Sequence, residues 1–252
     1  MTSVDLAKDA QLVSMVALTR LHQLDSHLHA LFAGTVQSGP FSGLRLVRPT
    51  HSYLGLSCRL LGTMESQLHA PIEDALSRPL AGLINVGASD GFYSLGMLKR
   101  RPDLRAIVFE ADPAYAETIR ANAELNGLSA RIENRGYGDR QAIGQAIADL
   151  GGGRVHFIVD CEGAEKEILD PDGCPGLRGV EIIVECHDFV DRSITRVLRE
   201  RFSNSHDIVE IGETMRPVSP HPAIAKMSEI DRLLAMCESR PEAMTWLWMR
   251  PR

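Results

Sequence analysis

The stretch Leu83-Ile84-Asn85-Val86-Gly87-Ala88-Ser89-Asp90-Gly91 is a short apolar run that breaks into a glycine-bearing turn. A Leu- and Met-rich segment reaching Arg101 follows it. Strand, glycine turn and helix together open a βαβ unit. Glycine lets the backbone turn sharply and approach a ligand, and the helix start offers unpaired N–H groups. Moving outward, the alternation repeats. Ala106–Phe109 is a second apolar run, and a helix from about Pro113 to Leu125 is stopped by Asn126-Gly127. Arg131–Glu133 is a weak third strand, and a helix over Gln141–Leu150 ends in Gly151-Gly152-Gly153. Val155–Val159, Val180–Val184, Asp207–Ile211 and Met244–Met249 complete seven strands. Short apolar strands separated by helices predict an α/β fold, a largely parallel Rossmann-like sheet covered on both faces. A loop and helix over 214–240 precede the last strand, so pattern alone leaves its direction open.

Upstream of the sheet the reading is helical. Leu12, Val16, Leu18, Leu21, Leu24, Leu28 and Leu31 recur at helical spacing between Asp5 and Phe32, which predicts one or two amphipathic helices. Gly34 to Pro49 reads as a loop with a short strand at Leu44–Val47, and a second helical stretch, interrupted at Gly62, leads to Pro79. The expected organisation is an N-terminal helical extension over 1–79 and a sheet domain over 80–252. The extension is open to three uses: an acceptor lid, a homodimer face, or packing on the sheet.

The 252 residues carry 27 Lys plus Arg against 33 Asp plus Glu, a net charge of -6. That balance argues against a dedicated nucleic-acid binder, which needs a surplus of cations on one face. No apolar run is long enough to span a membrane, and the start Met1–Asp5 lacks the basic and apolar regions of a signal peptide. Five widely spaced cysteines, with no CxxC, suit reduced thiols in the cytoplasm better than a disulfide framework or a zinc knuckle.

The turn spacing is G-x-x-x-G, with Ser89 where a dinucleotide fingerprint carries its second glycine, which weakens a NAD reading. Glu110 ends the second strand, 19 residues after Gly91, where a carboxylate can accept hydrogen bonds from both hydroxyls of a ribose. Four segments then fall in order: 83–91 (LINVGASDG), 108–112 (VFEAD), 122–127 (NAELNG) and 158–165 (IVDCEGAE). Together they resemble class I S-adenosylmethionine-dependent methyltransferases. The last segment, followed by IIVECHDF, is similar to the FkbM family of O-methyltransferases.

The resemblance covers roughly residues 80–250. It implies a seven-stranded sheet whose last strand runs antiparallel between the fifth and sixth. It also implies S-adenosyl-L-methionine across the carboxyl ends of the first strands. On that resemblance Gly87 and Gly91, with Ala88 and Ser89 between them, flank the methionine part and Glu110 holds the ribose. Asp112 and Tyr137 are candidates for the adenine edge. The acidic residue usual in the first strand is Asn85 here, so the cofactor's ammonium is left to Asp160 or Asp90.

Asp160-Cys161-Glu162-Gly163-Ala164-Glu165 follows the fourth apolar strand directly, and Glu185-Cys186-His187-Asp188 follows the fifth. Alternate residues of an extended segment share a face, so Asp160 with Glu162, and Glu185 with His187, can point together. Neighbouring strands lie about 4.8 Å apart, close enough for the two sets to meet. Three readings compete. His187 is a general base for a substrate hydroxyl, with Asp160 orienting cofactor or acceptor and Glu185 beside it. Alternatively Asp160, Glu185 and His187 ligate a divalent metal such as Mg²⁺ or Mn²⁺. In the third reading these residues only cap the helices that follow, with Glu165 simply inside one. His27 and His29, two apart on a helix, point away from each other and make a poor metal pair. Trp246 and Trp248 share one face of the last strand and suit core packing more than base stacking.

The functional expectation is an S-adenosylmethionine-dependent methyltransferase acting on a hydroxyl of a small-molecule or glycan-linked acceptor. The alternatives are N-methylation of an amine, or a non-catalytic S-adenosylmethionine-binding module that works through partners.

Overall fold

Seven strands form one sheet in the order β3-β2-β1-β4-β5-β7-β6. They are β1 (Gly82–Val86), β2 (Ala106–Phe109), β3 (Ile132–Asn134), β4 (Val155–Val159), β5 (Glu181–Cys186), β6 (His206–Gly212) and β7 (Thr245–Pro251). β1 pairs in parallel with β2 and β4, β2 with β3, and β4 with β5. β7 runs antiparallel between β5 and β6, which settles the direction that the sequence pattern left open. This is a Rossmann-like arrangement, with the strand directions that the resemblance implies. The computed structural model describes residues 6–49, 55–151, 154–214 and 221–252. Outside them lie the start read for a signal peptide, the glycines at 152 and 153, and the first part of the 214–240 segment. The side chain of Leu12, one of the helical apolar positions, lies outside the description as well.

β1, β4 and β5 are buried along their whole length, which suits their mostly apolar runs; Asn85, His156, Glu181 and Glu185 are the buried polar exceptions. Alternation then splits the side chains between two faces. Ile84, Val86, Phe157, Val159, Ile182 and Val184 join Ile143, Ile147, Leu198 and Phe202 of the helices Arg140–Asp149 and Ile194–Phe202 in one core. Asn85 points the other way and accepts a hydrogen bond from Ser94 Oγ (2.9 Å) in the helix Phe92–Arg100. Helix limits follow local chemistry. Asp112 accepts from the Ala114 N–H, Pro113 occupies the first turn, and Gly127 closes the helix Pro113–Asn126 in the left-handed conformation.

At the amino-terminal end of β5, Glu181 is wholly buried. It accepts from Arg78 Nη2 (2.8 Å), Arg154 Nη2 (3.0 Å) and Trp248 Nε1 (2.8 Å), with His156 Nδ1 at 3.8 Å. Burial alone would raise its pKa, but His156, Trp248 and Arg78 outweigh that and hold it at about 2.

The chain divides into two compact units, Gln67–Met215 with Arg240–Arg252, and Met1–Ser66 with Arg216–Ser239. The first carries the whole sheet. The second is helical, built on the helices Leu6–Phe32, Leu56–Leu61 and Glu229–Ala235. Within it Arg20 grips Asp231 through two hydrogen bonds (2.7 and 2.8 Å), and Asp25 accepts from the Ser57 backbone N–H at 2.7 Å. The expected strand at Leu44–Val47 is reduced to one bridge, Thr35 to Arg45. Leu44 and Leu46 are buried there, and backbone hydrogen bonds to Gly34 and Val36 make the segment one arm of a short antiparallel hairpin. No described helix is long and apolar enough to cross a membrane.

Candidate active site

At the carboxyl end of β1, Gly87 adopts φ 72°, and a Cβ added there would lie 1.6 Å from the Asp160 carbonyl oxygen. Only glycine permits that approach. The Gly87 and Ala88 N–H groups donate to Phe109 O (3.0 and 3.3 Å), so the turn is strapped to the end of β2. Ser89 is itself left-handed (φ 51°), and its N–H donates to Glu110 Oε2 at 2.8 Å. Glu110 Oε1 accepts from the Asp112 N–H at 2.9 Å. Asn134 at the end of β3 pairs with the Glu110 backbone on both sides, at 3.0 and 3.1 Å. The carboxylate therefore bridges the glycine turn and the exit of β2. Each oxygen accepts one of these bonds, and a carboxylate oxygen can accept a second.

The other residues singled out at the turn have local partners. Asp90 is buried, its Oδ1 accepts from the Phe92 N–H (3.1 Å), and Asn122 Nδ2 donates to its carbonyl (2.9 Å). Gly91, at φ 79°, starts the helix Phe92–Arg100. Asn85 lies beneath the turn, fixed to Ser94. Asp112 caps the next helix and Tyr137 is largely exposed.

The polar ends of β4 and β5 meet. His187 is 3% exposed, and its Nε2 lies 3.5 Å from Asp160 Oδ1 and 3.4 Å from Glu162 Oε2. Its Nδ1 lies 2.6 Å from Oε1 of Glu165, which is fully buried. Burial opposes charging this imidazole, but Glu165 and then Asp160 outweigh it and raise its pKa above the ordinary value. Burial likewise resists the charge on Glu165, and the hydrogen bond to His187 overrides it, lowering that pKa. The Cys161 and Cys186 thiols are pushed up, first by burial and, for Cys161, next by Glu165; Cys186 reaches about 12. Both are free and protonated at working pH, so neither is a nucleophile.

Glu185 is buried beside them and forms an ion pair with Arg240, whose guanidinium stacks over Trp246 at 4.8 Å. Asp160, Glu185 and His187 each present one atom within 4.8 Å of the others. In that triad Glu185 already carries a cation. Asp188 is spent on the next helix, accepting from the Thr195 N–H at 3.1 Å.

Glu165 and Arg240 are the site residues that sequence reasoning passed over. Glu165 reads as an ordinary helix position until the left-handed turn at Glu162 (φ 55°) and Gly163 (φ 108°) folds it back under His187. Arg240 stands 55 residues from Glu185 and carries no motif. The acid at 165 follows Asp160 inside one short segment, and that clustering was the signal available for it.

No family model matches the chain, and no curated protein matches it. Among solved structures the similarity is to the O-methyltransferase TomG from Streptomyces achromogenes, in complex with SAM (13% identity, 99% of this chain and 100% of that one, TM-score 0.49). A putative O-methyltransferase from Klebsiella pneumoniae is 14% identical over 97% and 96% of the two chains, with a TM-score of 0.47. Sp1610 of Streptococcus pneumoniae, a putative tRNA (m1A22) methyltransferase, is 17% identical over 72% of each, with a TM-score of 0.46. Such identities transfer neither a substrate nor a residue's role.

Proposed function

We propose that the chain is an S-adenosylmethionine-dependent methyltransferase of the FkbM type that methylates a hydroxyl oxygen. The observation that carries this reading is the buried imidazole of His187, whose Nε2 faces Asp160 just where Asp160 abuts Gly87. A base and a cofactor turn share one edge of the crevice, where ligands bind in sheets of this kind. The residues fit the cofactor. Gly87 lets the β4 exit close against the turn, and Glu110 offers paired acceptor oxygens at the β2 exit.

Bound there, S-adenosylmethionine supplies a methyl group on a cationic sulfur that keeps the C–S electron pair on transfer. His187 Nε2 would take the proton of the acceptor hydroxyl. Asp160 and Glu162, beside Nε2, orient the acceptor hydroxyl and stabilise the imidazolium that forms. Burial of the ring excludes water from the proton transfer. Arg240 neutralises Glu185, so a divalent ion is not needed to balance that carboxylate. The acceptor is a small-molecule or glycan-linked alcohol, handled in the cytoplasm, where five unbridged cysteines are at home.

Calorimetry with S-adenosylmethionine and with NAD comes first, followed by transfer of a labelled methyl group to panels of alcohols and amines with S-adenosylhomocysteine quantified. Saturable S-adenosylmethionine binding and label in alcohols are expected. Label confined to amines replaces the oxygen acceptor with a nitrogen one. Binding without any transfer leaves a non-catalytic module, and absence of binding at millimolar concentration ends the methyltransferase reading.

A further inference from the structure

The strongest feature that this function leaves unused is Glu165. It is a carboxylate with no exposure, and Oε2 has no hydrogen-bond partner among the described residues. Oε1 takes the Gly163 N–H at 3.1 Å as well as His187 Nδ1 at 2.6 Å. A glutamine would satisfy those two donors through its own carbonyl without a buried charge. The charge therefore needs a reason beyond packing.

The turn that delivers it is expensive in backbone conformation. Glu162 is a non-glycine residue at positive φ, and a Cβ on Gly163 would meet Val190 Cγ1 at 2.8 Å. Strain of this kind persists where the surroundings over-determine it. Acids thereby face both nitrogens of one ring: Glu165 on Nδ1, and Asp160 with Glu162 on Nε2.

We infer that Glu165 is a positioning residue for His187, fixing the proton on Nδ1 and leaving the Nε2 lone pair aimed at the acceptor. This rests on the reading of His187 as the base. An ionised carboxylate can only accept, so the short contact obliges Nδ1 to be the donor. The tautomer follows, and with it which nitrogen faces the crevice. The ring plane is held by the Phe189 edge at 5.6 Å. The charged neighbours are Asp160, Glu162 and Glu165 from the β4 side and Glu185 with Asp188 on its own segment. Arg240 reaches the group through Glu185. Among these Glu165 is the one engaged with Nδ1.

The test is two-bond ¹H–¹⁵N correlation NMR on the full chain labelled with [¹⁵N]histidine, titrated over pH. His187 signals are those lost in His187→Asn. Wild type is expected to show the Nδ1–H tautomer above its midpoint. In Glu165→Gln that midpoint falls by at least about one pH unit, the effect of losing an adjacent opposite charge. Glu165→Asp keeps the charge and is expected to lie between the two. The acid limb of methyl transfer moves in step with the NMR midpoint. A wild-type Nε2–H tautomer overturns the inference without any variant having to fold, and so does one midpoint shared by wild type and Glu165→Gln. The base reading fails separately, if His187→Asn retains full turnover while the tautomer is as expected.

Discussion

The two ends of the central strands use the same residue types to opposite effect. At the amino end, Glu181 and His156 are buried with two arginines and a tryptophan N–H converging on the carboxylate. At the carboxyl end, four carboxylates (Asp160, Glu162, Glu165 and Glu185) gather about one imidazole and one guanidinium. Glu162 there is 80% exposed. With Asp74, which also pairs with Arg78, the first cluster is charge-matched around a wholly buried carboxylate. The second is acid-rich and open on one side. A matched cluster stabilises the native chain; an open one with surplus charge is where an incoming group completes the balance.

Four measurements sharpen or break that contrast. The largest effect is expected from His187→Asn, which should lower methyl transfer about 10²- to 10⁴-fold, the usual contribution of a general base. Cofactor affinity by calorimetry should stay near wild type; full turnover would erase the functional half of the contrast. Next, Glu181→Gln should lower unfolding free energy by about 3 kcal/mol near neutral pH, since the folded pKa of about 2 lies below the ordinary 4.5. The sign is that of a depressed acid: the contribution is present above pH 4.5 and drains away as pH falls toward 2. Melting temperatures from pH 6 to 2.5 should therefore fall less steeply in the variant, with turnover unchanged. Identical pH slopes would remove Glu181 from the stability account. Glu110→Gln keeps the shape and removes the charge, and is expected to weaken S-adenosylmethionine about tenfold, one charge-assisted hydrogen bond's worth. Unchanged affinity would confine Glu110 to bracing the turn. The smallest effect is none: exhaustive EDTA treatment should leave turnover intact, because Arg240 already answers the Glu185 charge. Loss of activity restored by Mg²⁺ would revive Asp160, Glu185 and His187 as ligands.

The contrast was half legible in the sequence. Asp160, Glu185 and His187 stand out because each interrupts an apolar run abruptly, and strand ends in a parallel sheet face the crevice. Glu181 starts its strand just as abruptly, yet its partners Arg78 and Arg154 belong to other segments, so its pairing is a property of the fold. Glu165 escaped because two left-handed residues reverse the chain before it, and φ signs are not written in residue type when one of them is a glutamate. Helix limits were readable at Asp112-Pro113 and Asn126-Gly127, where capping chemistry is local. The Leu44–Val47 alternation does mark burial and pairing with Gly34–Val36, but period two says nothing of how long the pairing runs, and here it is a single bridge.

The contact between Gly87 and the Asp160 carbonyl carries a mechanical consequence. With 1.6 Å as the distance at which a methyl would have to sit, there is no slack between the turn and the loop across from it. An inward shift of one by an ångström has to be matched by the other, and the Asp160 N–H bond to Val86 O (3.0 Å) ties them against separation. The two sides of the crevice are thus geared, and seating a molecule against the turn sets the height of the carboxylate that faces His187.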